Sequence, residues 1–222
     1  MLLQDNNKSK VEYLEKKDKY DVMLTAPELG SESNNWAGPA TLNTELNTTY
    51  LNSLDSTAQN MIGNTKYYLG GKEPIWNNGF VDTPLQFYSY ERKIQNTTSN
   101  EFYNGTNPNS FIGKLGLMYV SDYGYASSNC ENKKIRDDNS SSNDIRACNG
   151  TNWLFKGNYE WLLPQSASFS FRAFRVDSYG RVDYYGNVRY DQNAVRPVLY
   201  LTSSVKITGG DGTSSSPYTL GL

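Results

Sequence analysis

One stretch near the start of this chain carries a helical period long enough to matter. Leu42, Leu46, Tyr50, Leu54, Ala58 and Met61 recur at spacings of three and four, with Pro39 just before them and Gly63 and Asn64 just after. That pattern predicts an amphipathic helix over 41–62. Every later apolar run is short and bounded by Gly, Pro or Asn: "TKYYLGG", "PLQFYSYERKI", "GKLGLMYVSDYGYASS", "NWLFKGNYEWLLP" and "VRPVLYL". Runs of that length suit strands, with Leu115 to Val120 the best candidate for a buried one and two more expected before the Gly/Ser-rich end. The expectation is an α+β chain in which a helix precedes a mainly β body with long irregular loops. A length of 222 residues favours one main domain. Residues 1–35, charged and weakly periodic, are expected to be a lead-in arm, and 36–222 the domain; no solenoid-like repeat is visible.

The chain contains no histidine. Without an imidazole to serve as base or ligand, Ser-His, Cys-His and His-metal mechanisms are excluded. Glu160 with Asp177 or Asp183 could be drawn as an acid and base pair. Nothing in the sequence, however, sets their separation as glycoside hydrolysis requires. "GGKEP" and "GGDG" lack the context of a phosphate-binding loop and read as turns, and "TGGDGTSSSPY" lacks the spaced carboxylates of a calcium loop. A non-enzyme without metal or cofactor is expected. The formal charge of -2, with no Lys/Arg cluster, argues against nucleic acid and anionic lipid as partners. The apolar runs are too short to span a membrane, and no export leader is expected.

Cys130 and Cys148 bracket "CENKKIRDDNSSSNDIRAC", a stretch too polar to be held by packing. A disulfide is the favoured reading; buried free thiols and metal ligation are the alternatives, and two Cys without His make a poor zinc set. A disulfide closing such a loop would stabilise by roughly 3 kcal/mol on the loop-entropy account. It would also place the chain in an oxidising, extracytoplasmic compartment. Six Asn-x-Ser/Thr triplets begin at Asn7, Asn47, Asn96, Asn104, Asn139 and Asn149. In a chain this rich in Asn, Ser and Thr they arise by composition.

The stretch "SASFSFRAFRVDSYGRVDYYGNVRYDQNAVRPV", residues 166–198, has an unusual alphabet. All thirteen lysines lie outside 157–205, whereas five of the eight arginines, Arg172, Arg175, Arg181, Arg189 and Arg196, lie within it. A guanidinium stacks and bonds through a planar fork, which an ammonium cannot do. Tyr adds amphipathic contact area at low entropy cost, and Ser, Gly and Asn add adaptable hydrogen bonding, the mixture found in antibody paratopes. The segment reads as a recognition surface, with an ordinary Tyr-rich hairpin as the bland alternative. Val176, Gly180, Val182, Gly186 and Val188 share one parity, and Arg175, Asp177, Tyr179, Arg181, Asp183, Tyr185, Arg189 and Asp191 the other. Simple strands would put these on opposite faces, although turns can change the parity.

"GKLGLMYVSDYGYASS", "NWLFKGNYEWLLP", "YGRVDYYGNV", "AVRPVLYL" and "VKITGGDGTSSSPY", in that order between Trp36 and Tyr218, resemble a known family. They are similar to C-type-lectin-like domains of bacterial, often pilin-like, surface proteins and of the variable proteins of diversity-generating retroelements. The resemblance implies an N-terminal helix packed on a small twisted antiparallel sheet. It implies an extracellular, surface-displayed protein of receptor or adhesin type that binds a protein or other macromolecular ligand, with pilus subunits among the partners. In such variable proteins a reverse transcriptase randomises template adenines, mostly in AAC or AAT codons, which never yields Lys, Glu, Gln, Met or Trp. Residues 166–194 contain none of these except Gln192. The implied frame positions are Trp161, Phe174, Val176, Gly180, Val182, Val188, Val195, Arg196 and Pro197, with Arg196, beside Pro197 and the run that follows, expected in a structural ion pair or on backbone carbonyls. The implied ligand-facing positions are Ser168, Ser170, Arg172, Asp177, Tyr179, Arg181, Asp183, Tyr184, Tyr185, Asn187, Arg189, Tyr190 and Asp191. The rival is a structural minor pilin or adhesin-tip domain that is never diversified. The same broad fold includes formylglycine-generating enzymes, whose cysteine pair near the C-terminal end this chain lacks; it lacks the calcium tripeptides of animal lectins as well.

Overall fold

The computed structural model describes residues 35–38, 41–70, 83–92, 108–136, 143–166, 169–191 and 193–222. The helical period over 41–62 gives a broken helix. α1 (Thr41–Glu45) runs into a π-helical turn, Leu46–Tyr50, and then into α2 (Leu51–Ser53); Leu54 is extended, and α3 (Ser56–Met61) starts anew. Two polar side chains account for this. Asp55 accepts the Ala58 N–H at 2.9 Å and so caps a fresh helix. Asn47, within the π turn, accepts the N–H groups of Lys114 and Leu115 at 3.1 and 3.0 Å and donates to the Leu115 carbonyl at 2.9 Å. A π turn shifts the helical register locally, and here its asparagine stands in for a strand neighbour at the start of β3 (Leu115–Leu117).

β1 (Thr65–Tyr68) pairs antiparallel with β2 (Ser110–Gly113). The run "PLQFYSYERKI", expected among the strands, is instead mostly α4 (Pro84–Glu91). Its start is a capping box: the Gln86 N–H donates to Thr83 Oγ1 while Gln86 Oε1 accepts the Thr83 N–H at 2.9 Å, with Pro84 at the first helical position. The expected strand from Leu115 to Val120 stops at Leu117. Val120 opens α5 (Val120–Tyr125), where Asp122 reaches back to accept the Tyr119 N–H at 3.0 Å.

α6 (Asn143–Asn149) precedes an antiparallel sheet of β4 (Glu160–Gln165), β5 (Arg172–Val176) and β6 (Val182–Asn187). β3 pairs with β7 (Pro197–Leu199), and β8 (Lys206–Gly209) with β9 (Thr219–Gly221). β9 lies in the Gly/Ser-rich end, where no strand was expected. The described residues form an α+β structure of small antiparallel sheets and short helices.

β4 is buried along its whole length because it has a core on each side. Trp161 and Leu163 join Leu42, Leu46, Tyr67 and Leu115 in one cluster. Leu162, between them in sequence, joins Phe87, Val120, Tyr123, Phe174, Val182 and Tyr184 in the other. The period of two along a strand sends successive side chains to opposite faces, which explains an apolar run without alternation.

The second core encloses a carboxylate. Glu91, at the end of α4 and buried, accepts the Ser121 N–H at 3.1 Å and lies 3.2 Å from Arg92 Nη1. Burial pushes its pKa up to about 7, against the lowering effect of the Ser121 hydroxyl and with further raising from Asp122. The unfolded carboxyl titrates near 4.3. The folded state therefore holds a proton that the unfolded state has lost between these values, and the associated stability disappears as pH rises through about 7. Glu91→Gln is expected to remove a stability decline on the order of 3 kcal/mol between pH 5 and pH 8. Urea unfolding of both proteins at the two pH values checks this; equal declines in both would refute it.

Candidate ligand-binding surface

β5 and β6 form a hairpin closed by Ser178, Tyr179 and Gly180. The Gly180 N–H donates to the Asp177 carbonyl at 2.9 Å, and the Asp177 N–H to the Arg181 carbonyl at 2.8 Å. This is a three-residue loop with its last residue left-handed, Gly180 at φ 80°. Glycine is required there twice over, because a Cβ would also collide with the Asn149 amide. The buried Asp177 carboxylate holds the turn: Oδ1 accepts the N–H groups of Tyr179 and Arg181, both at 2.9 Å, and Oδ2 accepts Arg181 Nε at 2.6 Å. Tyr179 is left at the apex, 60% exposed.

The same device recurs along β6. Asp183 Oδ1 accepts the Tyr185 N–H at 2.8 Å and Arg175 Nε at 3.0 Å. Asp191 Oδ2 accepts the Asn187 N–H and Arg175 Nη1, each at 2.8 Å. Asn187 Oδ1 accepts the Arg189 N–H at 3.0 Å. Arg175 thus joins two carboxylates and folds the 187–191 turn back over the sheet. Its guanidinium also lies 4.6 Å from the ring centre of Tyr159. Burial raises the Asp183 pKa; Arg175 and the Tyr185 amide lower it in part.

A bulge brings two tyrosines together. Arg175 pairs with Asp183 and Ala173 with Gly186, so Tyr184 and Tyr185 together oppose Phe174. Two residues against one break the alternation. Their rings consequently lie side by side, with centroids 4.4 Å apart, where a regular strand would send them to opposite faces. Tyr184 goes inward and is 0% exposed, whereas Tyr185 remains 37% exposed. The Arg172 guanidinium lies 5.7 and 5.4 Å from these two rings and 4.6 Å from Phe169.

Several expected ligand-facing residues are therefore corrected. Tyr184, Asp177 and Asp183 are interior. Asp191 and Asn187 brace the backbone, and Arg181 pairs with Asp177. Arg172, half-buried, lies among aromatic rings of its own chain. Ser170, Tyr179, Tyr185 and Tyr190 are exposed, Tyr190 at 76%, and Arg189 is half-buried. Ser168 lies outside the described residues. Arg172 pairs with Asn187, which groups Ser170, Tyr185, Arg189 and Tyr190 around the open end of the hairpin. Tyr179 stands at its tip, about 20 Å away at the usual rise per strand residue.

The sequence reading missed Tyr159, 40% exposed, whose carbonyl accepts the Ala194 N–H at 2.8 Å. Its stacking on Arg175 places it beside the 187–191 turn. Its signal was weak: it precedes the buried run of β4 and looks like part of it.

Among the expected frame residues, Trp161, Phe174, Val176, Gly180, Val182 and Val188 are buried, and Val195 and Pro197 half-buried. Arg196 forms an ion pair, Nε to Glu160 Oε1 at 2.8 Å and Nη2 to Oε2 at 3.1 Å. The three carboxylates that could have been drawn as an acid and base pair are each engaged by an arginine: Glu160 by Arg196, Asp177 by Arg181, Asp183 by Arg175.

Cys130 and Cys148 lie at disulfide distance, their Cα atoms 4.8 Å apart across a sequence separation of 18. Of the six glycosylation triplets, two fall on described residues, and both asparagines are used internally. Asn47 Nδ2 donates to Leu115, and Asn149 Nδ2 to the Tyr179 carbonyl. Among the described residues no helix is long and apolar enough to cross a membrane. No family model, curated protein or solved structure matches this chain.

Proposed function

We propose that this chain is a non-enzymatic, surface-displayed capture domain with a C-type-lectin-like fold, binding a macromolecular ligand through Tyr159, Tyr179, Tyr185 and Tyr190 with Ser170 and Arg189. The observation that carries the reading is the division of labour along β5 and β6. Asp177, Asp183, Asp191, Arg175 and Arg181 hold the backbone, and Tyr179, Tyr185 and Tyr190 project from it. A rigid backbone carrying exposed amphipathic rings loses little entropy on binding. A surface about 20 Å long fits a protein-sized partner better than a small molecule. The cysteine pair supports an extracytoplasmic location. On the diversifying reading, tolerated change is confined to the projecting positions, because each aspartate is tied to backbone N–H groups. A purely structural subunit would use the same face against a fixed neighbour.

Alanine at Tyr179, Tyr185 and Tyr190 together is expected to leave stability within about 1 kcal/mol of wild type while weakening capture at least about 100-fold. Wild-type and triple-variant protein immobilised side by side, exposed to the same cell-envelope and secreted fractions and compared by quantitative mass spectrometry, provide the test. A partner retained equally by both would sink the assignment.

A further inference from the structure

The hairpin tip is braced from inside by Asp177 and also gripped from outside by a different part of the chain. Asn149 Nδ2 donates to the Tyr179 carbonyl, and a Cβ on Gly180 would meet the same amide. The Tyr123 hydroxyl, buried beneath, donates to the Gly180 carbonyl at 2.9 Å and lies 3.4 Å from Asn149 Oδ1. Two residues past Gly180, the Val182 N–H donates to the Ile135 carbonyl at 3.0 Å. Asn149 directly follows Cys148, and Ile135 lies on the short turn after Cys130, so the sulfur pair ties both sides of the grip together. Three bonds, two from residues beside the cysteine pair and one from α5, thus converge on the turn that presents Tyr179 and on the start of β6. Tyr123, Ile135 and Val182 also belong to the second core, and none of the three bonds reaches the open end of the hairpin.

We propose that Asn149, seconded by Tyr123, is a positioning residue for the binding surface: it latches the Tyr179 turn into its displayed shape. The inference rests on the reading of Tyr179 as a contact residue. The turn has two carbonyls pointing away from its own hairpin, those of Tyr179 and Gly180, and the latch supplies a donor to each. The Gly180 carbonyl is buried and costly to leave without a donor; the Asn149 bond lies at the surface, so when it is removed the Tyr179 carbonyl turns to water and the turn gains freedom to move. Only an amide or hydroxyl at the latch positions keeps it closed. Aspartate at position 149 would face the Tyr179 carbonyl with an acceptor in place of a donor.

Hydrogen–deuterium exchange on the ligand-free protein tests this. In Asn149→Ala, Asn149→Asp and Tyr123→Phe, exchange at the amides of Tyr179, Gly180 and Arg181 is expected to rise at least about ten-fold, local opening being the route to exchange there. The amides of Tyr185 and Asn187 are expected to keep their wild-type rates. Unchanged rates at 179–181, or an equal rise throughout β5 and β6, would overturn the latch. If the Asn149 variants do not fold, Tyr123→Phe, which keeps its ring in the core, decides by the same outcomes. The tyrosine substitutions test the surface and the exchange experiment tests the latch, so either can fail alone.

Discussion

Tyr184→Ala is expected to destabilise the protein by about 3–5 kcal/mol, the range for deleting a large buried aromatic ring. Tyr190→Ala, one strand-end away, is expected to change stability by no more than about 0.5 kcal/mol. The two residues have the same side chain and lie in the same Tyr-rich segment, so only their surroundings can separate them. Tyr184 is enclosed by Phe174 at 6.4 Å and Tyr185 at 4.4 Å between ring centres, with the Arg136 guanidinium 5.0 Å from its own ring. These neighbours come from β5, β6 and the segment following Cys130, three pieces of chain that cannot all collapse into the vacated space. The residual cavity therefore adds to the lost transfer free energy. Tyr184→Phe keeps the ring and is expected to cost less than about 1 kcal/mol. Guanidinium chloride unfolding of the three variants measures this directly. A Tyr184→Ala protein as stable as wild type would show that Tyr184 faces outward.

That contrast also marks where the sequence was readable. Trp161, Phe174, Val176, Val182 and Val188 stand out as frame because an apolar side chain in a polar segment has few other uses, and all five are buried. Tyr is ambiguous: its ring favours the interior and its hydroxyl tolerates the surface, so parity had to choose. Tyr184 shares the parity of Val182 and Val188 and is buried, and Tyr185 has the opposite parity and is exposed, so parity separates the two; the resemblance, which places both among the ligand-facing positions, does not. The aspartates were misread for another reason. A carboxylate that accepts backbone N–H groups two or four residues away looks, in sequence, like one facing solvent. The signals were present in "DSYG" and "NVRYD", where Asp or Asn opens a turn. The helical segments carried readable signals too: "LDSTAQ" contains the cap that divides the first helix, and "TPLQ" the capping box of α4. The grip of Asn149 on Tyr179 was out of reach, because it joins residues 30 apart through a fold that a single sequence does not reveal.

The ion pair between Arg196 and Glu160 is the second place where one substitution is expected to have a large effect. Glu160 begins β4 and is buried where that strand enters between the two cores. Arg196 makes a two-pronged contact with its carboxylate, at 2.8 and 3.1 Å, and donates to the Leu154 carbonyl at 3.2 Å. Planar guanidinium matches carboxylate in this way, which lysine would not reproduce. Arg196→Met fills much of the same volume but leaves Glu160 with an uncompensated charge, and a loss of about 3–5 kcal/mol is expected. Adding Glu160→Met to that variant removes the orphaned charge and is expected to restore more than half of the loss, because desolvating the pair had already offset most of its attraction. Denaturant unfolding of the single and double variants gives the comparison. If the double variant is less stable than Arg196→Met alone, Glu160 is held by partners other than Arg196. The pair would then be a minor part of what joins β4 to the segment leading into β7.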